Sequence, residues 1–103
     1  MAAPTPETLM RSRYSGYVLG FEGYLLKTWH ADTRPETLNL ANDVQTKWLG
    51  LQIKAFVITS ESSATVEFVA RYKIGGKAGR LHENSQFKKI NQRWYYVDGV
   101  FIG

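Results

Sequence analysis

A chain of 103 residues with 44% hydrophobic and 14% aromatic side chains can close one packed interior and is too apolar to stay disordered. Thirteen basic residues against nine acidic ones give +4, but the charge is dispersed, with Lys88-Lys89 the one adjacent basic pair, so a solvated surface is expected and nucleic-acid binding is not. Cysteine is absent, which removes disulfides, thiolate nucleophiles, iron–sulfur clusters and cysteine-type zinc; with no apolar run of about 20 residues and no leader in Met1–Glu7, a cytoplasmic protein without a membrane partner is expected.

In chain order, Thr5 suits an N-cap, Pro6 the first helical position and Glu7 the positive end of the helix dipole. Leu9, Met10, Tyr14, Tyr17 and Val18 come next at helical spacing, and Gly20 is the expected stop. A shorter second helix carries Phe21, Tyr24, Leu25 and Trp29 and ends near His30. Arg34 to Leu38 reads as a brief third helix start, and Ala41 to Thr46 as a loop.

The second half has strand character. Lys47 to Thr59 puts Leu49, Leu51, Ile53, Ala55 and Val57 on one face. Thr65 to Ile74 sets Val66, Phe68, Ala70 and Tyr72 against Glu67, Val69 and Arg71. Gly75-Gly76 is a two-residue hairpin signal. Lys77 to Ile90 is the third strand, in which Gly79 is expected to mark a bulge. Asn91-Gln92 turns the chain into a fourth strand, Arg93 to Ile102. Helices first and a meander second make an α+β fold of one domain over residues 1–103.

Arg13 lies between Leu9 and Tyr17 on the apolar arc of the first helix. A charge there needs a partner, and Glu67 or Asp98 is the expected carboxylate; the other role open to it is anion recognition. Glu67 and Arg71 point to one face of a strand, as a charge pair or as part of a binding wall. His30 closes the second helix and His82 sits on the opposite face from Glu83; either can titrate near neutrality. No metal-ligand spacing is visible, so neither metal nor cofactor is expected. Aromatics on both faces of the last strand, Trp94, Tyr95 and Tyr96, suggest a sheet covered on both sides. Nucleophile motifs are absent, and Gly75 to Gly79 is a hairpin and not a phosphate loop.

The segments Leu9 to Gly20, Tyr24 to His30, Thr33 to Pro35, Val66 to Tyr72, Leu81 to Phe87 and Arg93 to Gly99 together resemble the central domain of YchJ-type bacterial proteins. The resemblance implies an NTF2-like (cystatin-like) cone: N-terminal helices packed on a curved four-stranded antiparallel sheet, enclosing a cavity. Members usually carry a cysteine-rich SEC-C zinc segment, which this chain lacks. The fold hosts binding modules, dimerising modules and small enzymes, so it does not settle function. The expected role is non-catalytic small-molecule binding by Arg13, Tyr17, Trp29, His30, Glu67, Arg71, His82, Trp94, Tyr96 and Asp98. The alternatives are a protein-interaction module that homodimerises through its sheet, and an isomerase, dehydratase or hydrolase using Asp98, Glu67 or His30.

Overall fold

The computed structural model describes residues 4–40 and 46–102. Helix α1 spans Pro6–Leu19 and α2 spans Glu22–Lys27; strands β1 (Thr46–Ser60), β2 (Ser63–Ile74), β3 (Lys77–Ile90) and β4 (Arg93–Phe101) form one antiparallel meander in the order β1-β2-β3-β4. The helices lie on one face of this sheet, giving the expected α+β architecture. No helix among the described residues is long and apolar enough to cross a membrane.

Local chemistry sets the ends of α1. The Thr5 hydroxyl accepts the Thr8 N–H at 3.1 Å, while the Thr8 hydroxyl accepts the Thr5 N–H at 3.1 Å. This reciprocal cap satisfies two donors that would otherwise be orphaned. At the other end Gly20 takes φ 75°, and the Phe21 N–H donates to Gly16 O at 2.8 Å. Pro6, Leu9, Met10, Arg13 and Gly16 are the buried residues between and form one stripe, whose Gly16 meets Leu25 of α2. Leu9 and Met10 join Ala64, Val66, Phe68, Ala70, Phe87 and Trp94 in the core.

Four expectations need correction. First, α2 ends at Lys27, so His30 is not a helix-terminal residue. Trp29 instead pairs in parallel with Tyr96, the Tyr96 N–H donating to Thr28 O at 2.9 Å and the His30 N–H to Tyr96 O at 2.7 Å. Pairing with β4 outweighs one more helical turn. Second, Arg34 to Leu38 is irregular and not helical. The Glu22 carboxylate holds the stretch from Thr37 to Leu40, accepting from the Thr37 hydroxyl and the Leu40 N–H, each at 2.9 Å, which keeps its pKa below the usual carboxylate value. Third, the β1 alternation breaks at bulges between Trp48 and Gly50 and between Ile53 and Ala55, so Leu49 is exposed while Trp48, Leu51 and Ile53 face the helices. Fourth, β2 and β3 pair without a bulge at Gly79. That residue faces Tyr72, whose ring lies 2.6 Å from where a side chain would begin. Of the expected loop from Ala41 to Thr46, Thr46 already opens β1, and the rest lies outside the described residues.

Both tight turns after β2 use left-handed residues. Gly75 and Gly76 have φ 57° and 84°, as the twist-matched hairpin turn requires. Asn91 and Gln92 adopt φ 51° and 69° in the equivalent places. Asparagine tolerates that region, whereas a glutamine there costs roughly 1–2 kcal/mol. Part of this is offset by the freedom glycine adds to the unfolded chain, so Gln92→Gly is expected to stabilise by about 0.5–1 kcal/mol, or several degrees of melting temperature. A lower melting temperature in a thermal scan overturns this reading of the turn.

Candidate functional site

Between the helices and the sheet lies a cavity of about 230 Å³, lined from α1 by Met10, Arg13, Tyr14 and Tyr17, and from the sheet by Trp48, Phe68, Ala70, Leu81, Glu83, Ser85 and Tyr96. Trp48 anchors its aromatic end. Its ring meets Tyr14 at 6.0 Å, Tyr17 at 6.1 Å and Tyr72 at 5.8 Å between centroids, all inclined.

Arg13 has 2% of its surface exposed. Its Nη1 donates to Leu25 O and to Thr28 Oγ1, both at 2.7 Å, and so ties α1 to the end of α2. The guanidinium carbon stands 4.5 Å from the Tyr96 ring centroid and 4.9 Å from that of Trp29. Neither Glu67 nor Asp98 is its partner, and no ion pair to Arg13 occurs among the described residues. Both carboxylates belong to the far face of the sheet: Glu67 alternates with Val66 and Phe68, and Asp98 pairs with Gln86 across from Thr65. Burial lowers the Arg13 pKa; nearby Tyr17, Tyr96 and Tyr24 oppose that.

Glu83 is the cavity's carboxylate. It accepts a 2.6 Å hydrogen bond from the Ser85 hydroxyl, and Ser85 is fully buried. Across the ladder from Ser85 stands Gly99, and the space where its side chain would begin is occupied by the Glu83 carboxylate. Only glycine leaves that room. Burial raises the pKa values of Tyr96 and Tyr17. For Tyr96, Glu83 is the next contribution upward and Arg13 the opposing one; for Tyr17, Arg13 opposes and Glu83 reinforces. Tyr14 is also raised by burial, against a backbone hydrogen bond from Gly50.

These shifts set a pH dependence. The folded protein keeps phenolic protons that the unfolded chain releases above about pH 10, so this stability is whole below that pH and is lost as pH rises through the folded values. The native tyrosinate absorbance titration is expected to lag behind the titration in urea, with alkaline unfolding accompanying it. Superimposable curves would contradict the burial of these hydroxyls.

Of the residues singled out from the sequence, Arg13, Tyr17 and Tyr96 meet at the cavity. Trp29 stands behind it, edge-on to Tyr96 at 4.9 Å and 83°, and its buried indole N–H has no acceptor among the described residues. Trp94 belongs to the core, 5.3 Å beneath the Lys89 ammonium. His30 lies beyond α2, where its Nδ1 accepts the Asp32 N–H at 3.0 Å. Glu67, Arg71 and His82 occupy the opposite face of the sheet, Glu67 Oε2 lying 2.6 Å from His82 Nε2. On that face Val69, paired with Gln52 and His82, is 3% exposed under its polar neighbours. No cluster of three or more potential metal ligands occurs among the described residues.

Sequence reasoning missed Glu83 and Ser85, yet a signal for them existed. A two-residue turn at Gly75-Gly76 pairs Ile74 with Lys77, and counting outward from there pairs Phe68 with Glu83 and Val66 with Ser85. Because Val66 and Phe68 point inward, so do their partners.

The family of the YchJ middle, NTF2-like domain matches residues 5–99. A UPF0225 protein of Chromobacterium violaceum is 56% identical over 101 residues, covering 95% of this chain and 75% of its own. Another from Bordetella pertussis is 59% identical over 99 residues, covering 96% and 74%. The solution structure of a SEC-C motif-containing protein from Rhodopseudomonas palustris matches with a TM-score of 0.89 at 34% identity, over 100% of this chain and 83% of that one. The crystal structure of a SEC-C motif-containing protein from Psychrobacter arcticus matches with a TM-score of 0.81 at 33% identity, over 100% and 64%.

Proposed function

The chain belongs to the YchJ family as its middle, NTF2-like domain, and on that premise we propose that it is a non-catalytic module holding a small molecule in its cone-shaped cavity against Arg13. The observation that carries this reading is a guanidinium on the cavity wall that is buried with no carboxylate partner among the described residues. A buried charge is costly unless paired, and Nη1 spends its donors on two neutral oxygens. A guanidinium has five N–H donors in a planar fork, so even with Leu25 O, Thr28 Oγ1 and the Tyr17 hydroxyl as partners, donors remain for an anionic group. Among the described residues the lining contains no histidine and a single carboxylate already bonded to Ser85, which is a poor basis for paired acid–base chemistry and a sound one for binding.

Native mass spectrometry of the freshly purified protein beside a denatured control tests this. Extra mass that disappears on denaturation is the expected result, and Arg13→Met is expected to lose that mass while remaining folded. A bare native protein that takes up no small molecule bearing an anionic group, zwitterions included, overturns the reading.

One observation favours a second reading, a dimerising module. Strand β1 lies at the edge of the sheet, and its last seven residues, Lys54 to Ser60, are all exposed, Phe56, Val57 and Ile58 among them. An unpaired apolar edge is a template for pairing with a second copy. Sedimentation that rises with concentration, and is abolished by Val57→Lys, would support it; a strict monomer removes it.

A further inference from the structure

Resting on the reading that the cavity holds a small molecule, we infer that its ligand is a small apolar zwitterion, with a carboxylate for Arg13 and a protonated amine for Glu83: a free aliphatic or aromatic amino acid or a close analogue. Arg13 and Glu83 line the same small cavity, yet they do not pair with each other. Opposite charges in a poorly solvated space attract strongly, so their separation has to be built into the fold. Here it is. Arg13 is held back by Leu25 O and Thr28 Oγ1 at the end of α2. Glu83 is held by Ser85 and rests in the room left by Gly99 on β4. Tyr17 and Tyr96 lie within electrostatic reach of both groups.

This arrangement discriminates by charge. A monoanion that satisfied Arg13 would bring a second negative charge beside Glu83, and a monocation would meet Arg13; like charges placed together are strongly disfavoured. A neutral ligand would leave both charges without a counter-charge. A molecule carrying both signs on one short frame pairs both. Size limits the rest. The cavity of about 230 Å³ equals the liquid volume of roughly eight waters and falls below the roughly 300–1,000 Å³ of drug-sized sites. Met10, Trp48, Phe68 and Leu81 make most of the remaining wall apolar, which suits a hydrocarbon side chain.

The test is calorimetric titration of the protein with two matched trios: leucine, isocaproate and isoamylamine, then phenylalanine, phenylpropanoate and phenethylamine. The amino acid of at least one trio is expected to bind about tenfold or more tightly than its amine-free and carboxylate-free counterparts. Glu83→Gln, with unfolding measured alongside, is expected to erase that preference without weakening isocaproate or phenylpropanoate. If the amine-free acids bind as well as the amino acids, or Glu83→Gln changes nothing, the zwitterion inference falls and the cavity reading stands. If no probe binds, native mass spectrometry decides. A co-purified zwitterion upholds the inference, a neutral or singly charged one overturns it alone, and a bare protein overturns the cavity reading with it.

Discussion

Arg13→Ala is expected to cost about 2–4 kcal/mol of folding free energy, a large part of the roughly 5–15 kcal/mol typical of a domain. Two short hydrogen bonds from the guanidinium, to Leu25 O and Thr28 Oγ1, join α1 to the end of α2. Charge-assisted bonds contribute about 1.5–3 kcal/mol each, and the ring contacts with Trp29 and Tyr96 add about 0.5–2 kcal/mol. Against them stands the desolvation of the buried charge, which the lowered pKa registers and the substitution relieves. The hydrogen bonds win because removal leaves Leu25 O with only a 3.3 Å bond from the Thr28 hydroxyl, and because truncating the stem enlarges the cavity. Arg13→Met restores the stem volume and is expected to recover about 1–2 kcal/mol of that loss. Urea unfolding of the three proteins measures both steps. An alanine variant as stable as the parent would show that the charge is tolerated at no net benefit, and its retention would then rest on binding alone.

Phe87→Ala is expected to lose about 3–5 kcal/mol, enough to lower the melting temperature by roughly 15 °C or more. The ring is 1% exposed and is among the largest fully buried side chains. It faces the core beneath α1 and meets Tyr96 edge-on at 5.8 Å between centroids. Its position also depends on a bulge: the β3–β4 register shifts between Gln86 and Phe87, so Asp98 pairs with Gln86 and Tyr96 with Phe87. Val97 is the extra residue: Trp94 and Tyr96 before it share the inward face by alternation, and Asp98 after it is turned outward. Deleting the ring removes the support of one cavity wall, so any ligand affinity should fall together with stability. Phe87→Leu keeps most of the volume and is expected to cost less than half as much. A loss below about 1 kcal/mol for the alanine variant, read by thermal and urea unfolding, would show that the core collapses into the space.

The family resemblance rested on dispersed segments, and their order along the chain agrees with the match over residues 5–99. The individual site residues were less legible. Arg13 stood out because a charge on an apolar helical arc is anomalous in one dimension. Glu83 did not, because a glutamate in a strand of mixed polarity looks ordinary until pairing assigns it a face. His82, its neighbour, drew attention as a titratable residue but points to the opposite face, next to Glu67.

Features whose chemistry is local could be read directly from the residues. Thr5, Pro6 and Gly20 bound α1 through a capping bond, a fixed φ and one left-handed residue, and Gly75-Gly76 and Asn91-Gln92 place two hairpins through positive φ. The stop of α2 depends instead on a distant partner, since the β4 backbone competes for Trp29 and His30. The phase of β1 and β4 likewise needed the folded chain. Side chains alternate with a period of two, so each bulge reverses every later position, and nothing within a single strand signals the extra residue. The partners of Arg13 were settled in the same way. Two neutral oxygens at the end of α2 and two aromatic faces reach it, while the carboxylates nearest in expectation lie across the sheet.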